Sequence, residues 1–164
     1  MLWAERLNNS RKRNISKGTT KGKLAAAKKG YFIGSVPPFG YKKWKRDGTA
    51  GMNPRILQID DNTAQAVLDS FESFAEGDVS YRDIANDLNE QGFLSTLNKP
   101  FTRETVRQML TNPVYIGKIP YGRVGPSVKF LFSGKHKPII SLDLWEQVQL
   151  IRSQRSNINQ VNKK

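Results

Sequence analysis

Ser80–Gly92, SYRDIANDLNEQG, and Thr102–Pro113, TRETVRQMLTNP, are the two stretches that decide the fold. Each opens on a hydroxyl side chain, which can accept from the free N–H groups of a first helical turn. In the first, Asp83 follows Ser80 at capping-box spacing. Tyr81, Ile84, Ala85 and Leu88 then recur at helical spacing, and Gly92 ends the pattern. In the second, Val106, Met109 and Leu110 form the inner face and Asn112-Pro113 stops the helix. Two short capped helices with apolar inner faces predict a helix-turn-helix variant. The connection, Phe93 to Phe101, is longer than the usual 3–4-residue turn. In such a pair the second helix lies in the DNA major groove with its first residues near base edges. Here its outward face carries Arg103, Glu104, Arg107, Gln108 and Thr111. Arginine bonds guanine in bidentate fashion and glutamine bonds adenine, so Arg107 and Gln108 are apt readers. The alternative reading of the same face is an ordinary solvated surface helix.

Upstream, Ala64, Val67, Leu68, Phe71 and Phe74 predict a helix from about Asn62 to Glu76, capped by Asp60 or Asp61 and ended by Gly77. The acid pair is read as a cap, not as a metal site. Arg55–Ile59 predicts a short strand, Asp47-Gly48-Thr49 a turn, and Pro37-Pro38-Phe39-Gly40-Tyr41 rigid punctuation. Tyr31, Phe32, Phe39, Tyr41 and Trp44 are assigned to core packing rather than to stacking on single strands. A short helix from about Thr19 to Lys29 should stop at Gly30. Downstream, Val114–Tyr121 and Val128–Phe132 are strand candidates. A last helix follows Ser141, with Leu144, Trp145, Val148 and Ile151 inward. From Ser153 the composition is that of a linker. The expected fold class is α+β: a mainly helical, helix-turn-helix-like domain with a small β-hairpin or sheet and a C-terminal helix. The expected organisation is a basic arm over 1–29, a DNA-binding domain over 30–155 and a polar linker or tail over 156–164.

Charge points the same way. The chain of 164 residues has a net charge of +13, and residues 1–46 hold 13 of its 27 basic residues against one acid, Glu5. A near-neutral body with a basic arm is the electrostatic shape of a nucleic-acid binder. Phosphate contacts of this kind release counterions and weaken steeply with salt. A solvated tail or a membrane-surface patch is the blander reading. There is no cysteine, which excludes disulfides, cysteine-ligated zinc and thiol catalysis. The single histidine, His136, sits between two lysines in a predicted loop and is assigned a structural role. No apolar run is long enough to span a membrane, and the N-terminus has no apolar stretch of signal-peptide type.

The chain resembles the central recombinase domain of large serine recombinases, the phage integrases and transposon resolvases of that class. The likeness rests on Gly30-Tyr31-Phe32-Ile33-Gly34 with Pro37-Pro38-Phe39-Gly40-Tyr41, on Tyr81–Ala85 with Leu88-Asn89 and Gly92-Phe93, and on Phe101-Thr102 with Val106, Met109-Leu110 and Asn112–Gly117. The family commonly has Trp where Phe101 stands. The fit spans about residues 10–155, and the resemblance implies that the basic arm over 1–29 includes the end of the helix that connects to the family's catalytic domain.

The resemblance implies part of the recognition of an attachment site on double-stranded DNA. Phosphate contacts would come from Arg11, Arg13, Lys17, Lys21, Lys42 and Lys43, and base preference from Arg103, Arg107 and Gln108. Catalysis would belong to a serine-bearing domain that this chain has no room for before Gly30, so no enzymatic activity is expected of it. The family's zinc ribbon is not expected either, for want of cysteine after Trp145. Neither a cofactor nor a metal is expected. The chain by itself is expected to be monomeric, with assembly left to the full-length recombinase, and to reside in the cytoplasm with the nucleoid. Three rivals are a stand-alone helix-turn-helix transcription regulator, an enzyme in its own right and an RNA-binding protein. The first lacks a visible dimer or effector segment. The second lacks a catalytic constellation, and the third lacks RNA-module signatures.

Overall fold

The computed structural model describes residues 20–44, 56–124 and 127–161. Helix α1 (20–28) is followed by strands β1 (Tyr41–Trp44) and β2 (Ile56–Ile59), then by α2 (Ala64–Ala75), α3 (Tyr81–Glu90) and α4 (Arg103–Leu110). A 3-10 turn (Pro113–Ile116), strands β3 (Lys118–Val124) and β4 (Ser127–Ser133) and helix α5 (Leu142–Val161) complete the order. Each strand pair is antiparallel, with Tyr41 opposite Ile59 and Ile119 opposite Phe132. The fold is α+β, with five helices and two small two-stranded sheets among the described residues. The Asp47-Gly48-Thr49 turn lies outside them.

One core joins helices α2 to α5. Val67, Phe71 and Phe74 of α2, Ile84, Ala85 and Leu88 of α3, Val106 and Leu110 of α4 and Val148 of α5 are buried together with Tyr115. Burying each large side chain is worth about 1.5–3 kcal/mol relative to exposure. Phe32, Phe39 and Tyr41 pack in the core as assigned, whereas Tyr31 lies outside it, half-buried with the Lys135 ammonium 4.4 Å over its ring. Phe39 meets Phe93 and Phe101 edge-on at 5.7 and 5.0 Å, and Tyr41 stacks on Tyr115 at 5.9 Å. Buried hydroxyls need partners. The Tyr115 hydroxyl donates to the Phe39 carbonyl at 2.8 Å, and that of Tyr41 donates to the Lys137 carbonyl at 2.8 Å. Burial raises the pKa of both phenols. These bonds tie the Pro37–Tyr41 segment to the 3-10 turn before the second hairpin and to the strap that follows it.

Three local expectations are corrected. Neither Asp60 nor Asp61 caps α2. The chain first makes a turn, so the helix begins at Ala64 after Thr63, which makes no side-chain cap. Asp60 serves that turn, accepting from the Asn62 N–H at its carboxylate and from the Thr63 and Ala64 N–H groups at its carbonyl. Val114–Ile116 is 3-10 rather than strand, because the Asn112 side chain accepts from the Val114 N–H and Pro113 sets the first helical position. The polar segment after Ser153 continues α5 to Val161. The anchor is Arg155, which donates to the Val79 carbonyl at 2.8 Å and lies 4.6 Å over the Phe74 ring.

Helix α1 stops as expected. Gly30 has φ +80, its N–H donates to Ala27 and the Tyr31 N–H donates to Ala26, the paired bonds of a Schellman cap. The turn docks on the second hairpin: the Lys135 N–H donates to the Gly30 carbonyl, and the Tyr121 hydroxyl donates to the Thr20 carbonyl.

Candidate nucleic-acid interface

Helices α3 and α4 are each set by a reciprocal cap. Ser80 accepts from the Asp83 N–H while the Asp83 carboxylate accepts from the Ser80 N–H at 2.9 Å. Those bonds from Ser80 hold the Asp83 carboxyl below the usual carboxylate range. Thr102 and Thr105 exchange the equivalent pair. The connection between the helices is long, yet it is closed tightly. The Asn89 side-chain amide donates to the Phe101 carbonyl at 2.9 Å and accepts from the Phe101 N–H at 2.7 Å. The loop inside turns through Ser95–Lys99, whose ends bond at 2.8 Å. So Phe101, next to the Thr102 cap of α4, is held to the last turn of α3 despite the nine-residue spacing.

Val106, Met109 and Leu110 face the core, which leaves Arg103, Glu104, Arg107 and Gln108 exposed. Glu104 accepts two bonds from Arg107, Nε at 2.8 Å and Nη2 at 2.6 Å, and a third from Gln108 at 3.0 Å. These donors, Arg107 first, hold the Glu104 carboxyl down to about 2. The same pairing raises the Arg107 pKa. Arg103 makes no ion pair or side-chain hydrogen bond among the described residues.

The nine residues singled out from sequence fall on separate elements. Arg107 and Gln108 come together on one face, with Arg103 on the same helix. Lys21 is exposed on α1 and Lys42 on β1. Lys43 pairs with Leu57 in the first sheet. Arg11, Arg13 and Lys17 lie outside the described residues. Glu104 was placed on the outward face but assigned no role. Its spacing of three and four residues to Arg107 and Gln108 is the signal that could have found it. Among the described residues no group of three or more His, Asp or Glu could hold a metal ion. No helix of the described residues is long and apolar enough to cross a membrane.

This geometry defines an α+β domain built around a capped helix pair, the second helix presenting guanidinium and amide groups to solvent. The Recombinase family model matches residues 61–155. The chain belongs to the Recombinase family, as the recombinase domain of large serine recombinases. Among solved structures it is similar to that of an LSR–DNA complex, with 25% identity and a TM-score of 0.62 over 83% of this chain and 39% of the other. It is also similar in fold to a structure concerned with the sequence requirements of the Listeria innocua prophage attP site, with 24% identity and a TM-score of 0.59 over 81% and 50%. The chain thus spans half or less of the length of both. No curated protein sequence matches it.

Proposed function

We propose that this domain binds double-stranded DNA and supplies part of the recognition of an attachment site for a site-specific serine recombinase. The observation that carries the reading is the exposed Arg103, Arg107 and Gln108 face of α4, held on α3 by Asn89. The solved relative at 25% identity is itself an LSR–DNA complex, which supports DNA as the ligand class. In this reading α4 enters the major groove and Arg107 and Gln108 read base edges, each good bidentate contact contributing about 1–3 kcal/mol of discrimination. Lys21, Lys42 and Lys43, with Arg11, Arg13 and Lys17 of the arm, contact phosphates and set register. The DNA-binding unit is residues 30–155, with the arm before it and the polar tail after it.

Strand cleavage and exchange belong to a partner domain bearing a nucleophilic serine. The present chain acts by recognition, as a monomer until the full-length recombinase assembles, in the compartment that holds the nucleoid.

The test is selection from a pool of random duplex DNA at moderate salt, repeated with Arg107→Ala. Enrichment of a motif that relaxes at particular positions in the variant is the expected result. Retention of DNA without any enriched motif would leave only a basic arm and overturn the assignment of α4.

A further inference from the structure

Glu104 stands out on the α4 face because its charge opposes the ligand proposed for that face. A carboxylate among DNA-facing groups repels phosphate, yet here it is the hub of the surface. Its oxygens take the Nε–Nη2 edge of Arg107, so the guanidinium keeps its Nη1–Nη2 edge for another partner. They take one hydrogen of the Gln108 amide, which leaves one N–H and the carbonyl oxygen of that side chain. The remaining edges are the ones that bidentate contacts to guanine and adenine require.

On this basis we infer that Glu104 is a positioning residue that determines specificity, joining Arg107 and Gln108 into one pre-oriented reading unit and withholding Arg107 from phosphates. The inference rests on the DNA-reading role proposed for α4. Two physical effects follow from the geometry. Side chains already held in one arrangement lose less conformational freedom on binding a matched site. A fixed negative charge beside Arg107 weakens attraction to any backbone, matched or not, so discrimination rises as general affinity falls.

The experiment compares the full chain with Glu104→Gln, Glu104→Asp, the Arg107→Ala/Gln108→Ala pair, and that pair combined with Glu104→Gln. Each is carried through selection on random duplex DNA, salt titration on a non-cognate duplex, and thermal melting. Glu104→Gln should bind the non-cognate duplex severalfold more tightly, with a salt slope steeper by about 0.9, one extra phosphate contact. Its preference at the selected positions should fall about tenfold, within the range of one bidentate contact. Glu104→Asp keeps the charge and shortens the reach, so its preference should relax while non-cognate affinity stays near that of the parent. In the Arg107→Ala/Gln108→Ala background Glu104→Gln should change the base preference no further.

An unchanged motif and unchanged non-cognate affinity in Glu104→Gln would overturn the inference and leave the DNA-reading role standing. So would a lower melting temperature with base preference intact, which is the mark of a helix-dipole partner alone. An effect on base preference that persists without Arg107 and Gln108 would mean that Glu104 reads a base directly, and would also overturn it. If the parent chain itself selects no motif, the role of α4 and this inference fall together.

Discussion

Asn89 and Phe101 are twelve residues apart, yet the Asn89 amide closes both main-chain groups of Phe101, at 2.9 Å to its carbonyl and 2.7 Å from its N–H. One side chain thereby does the work of a strand partner and fixes where α4 begins.

Replacing Asn89 with Ala leaves both Phe101 groups without that partner in a half-buried site. The expected loss is about 1–3 kcal/mol of unfolding free energy, measured by urea denaturation. Asn89→Asp retains the acceptor and loses the donor, so it should fall between the two. Equal stability of all three proteins would show that the connection is held by packing alone.

Gly30 and Gly92 both have left-handed φ, +80 and +82, at the ends of α1 and α3. A Cβ at Gly92 meets nothing within 4 Å, so Gly92→Ala should cost only the conformational term, about 1–2 kcal/mol. A Cβ at Gly30 would lie 2.7 Å from the Ser133 carbonyl oxygen, a main-chain atom that cannot swing aside. Gly30→Ala should therefore lower the melting temperature clearly more than Gly92→Ala. It should also loosen the bond between Lys135 and Gly30, visible as faster amide exchange at Lys135.

His136 is buried, with Nε2 2.7 Å from the Val114 carbonyl and its ring edge-on to Tyr41. A carbonyl only accepts, so Nε2 carries the hydrogen and the neutral ring satisfies the site. Burial lowers the pKa of the imidazole below its ordinary 6.5. The unfolded chain thus takes up this proton at higher pH than the folded one. The stability linked to this group is fully present above about 6.5 and is lost as pH falls toward the depressed folded value. Because this is the chain's one histidine, melting temperatures measured from pH 7.5 down to 5 should decline in the parent. A His136→Asn variant, less stable throughout, should lose the part of that decline that comes from the imidazole. An identical pH slope in both would assign the effect to other groups.

For DNA binding, Arg107→Ala and Lys21→Ala should differ in kind. The first should cost about 1–3 kcal/mol on a selected site and much less on unrelated duplexes. The second should weaken both equally and shallow the salt slope by about 0.9. Gel-shift titrations at several salt concentrations separate the two. Equal losses on matched and unmatched DNA for Arg107→Ala would reassign that residue to phosphate binding.

Much of the fold was legible because short-range rules govern it. The Ser80–Asp83 cap, the stop at Gly30, the apolar spacings of α2, α3 and α4 and the strand at Ile56–Ile59 each depend on residues a few positions apart. The residue types facing outward on α4 were legible for the same reason. Their arrangement was not, because periodicity assigns a side chain to a face and leaves its hydrogen-bond partners open. The three-way contact at Glu104 appears only when rotamers are set.

By itself, then, the sequence determined helices α1 to α4, the start of α5, strand β2, the basic arm and the apolar faces, all consequences of local sterics and of spacing. Tertiary structure decided what depends on distant partners. Tyr115 enters a 3-10 turn, and its hydroxyl reaches Phe39, 76 residues earlier. Arg155 binds the Val79 carbonyl across the same separation, in a helix that continues through a segment of linker composition. Asn89 closes the connection that spacing alone left open. Each of these replaces a main-chain or hydroxyl contact with water by one inside the protein, and only packing brings the partner there.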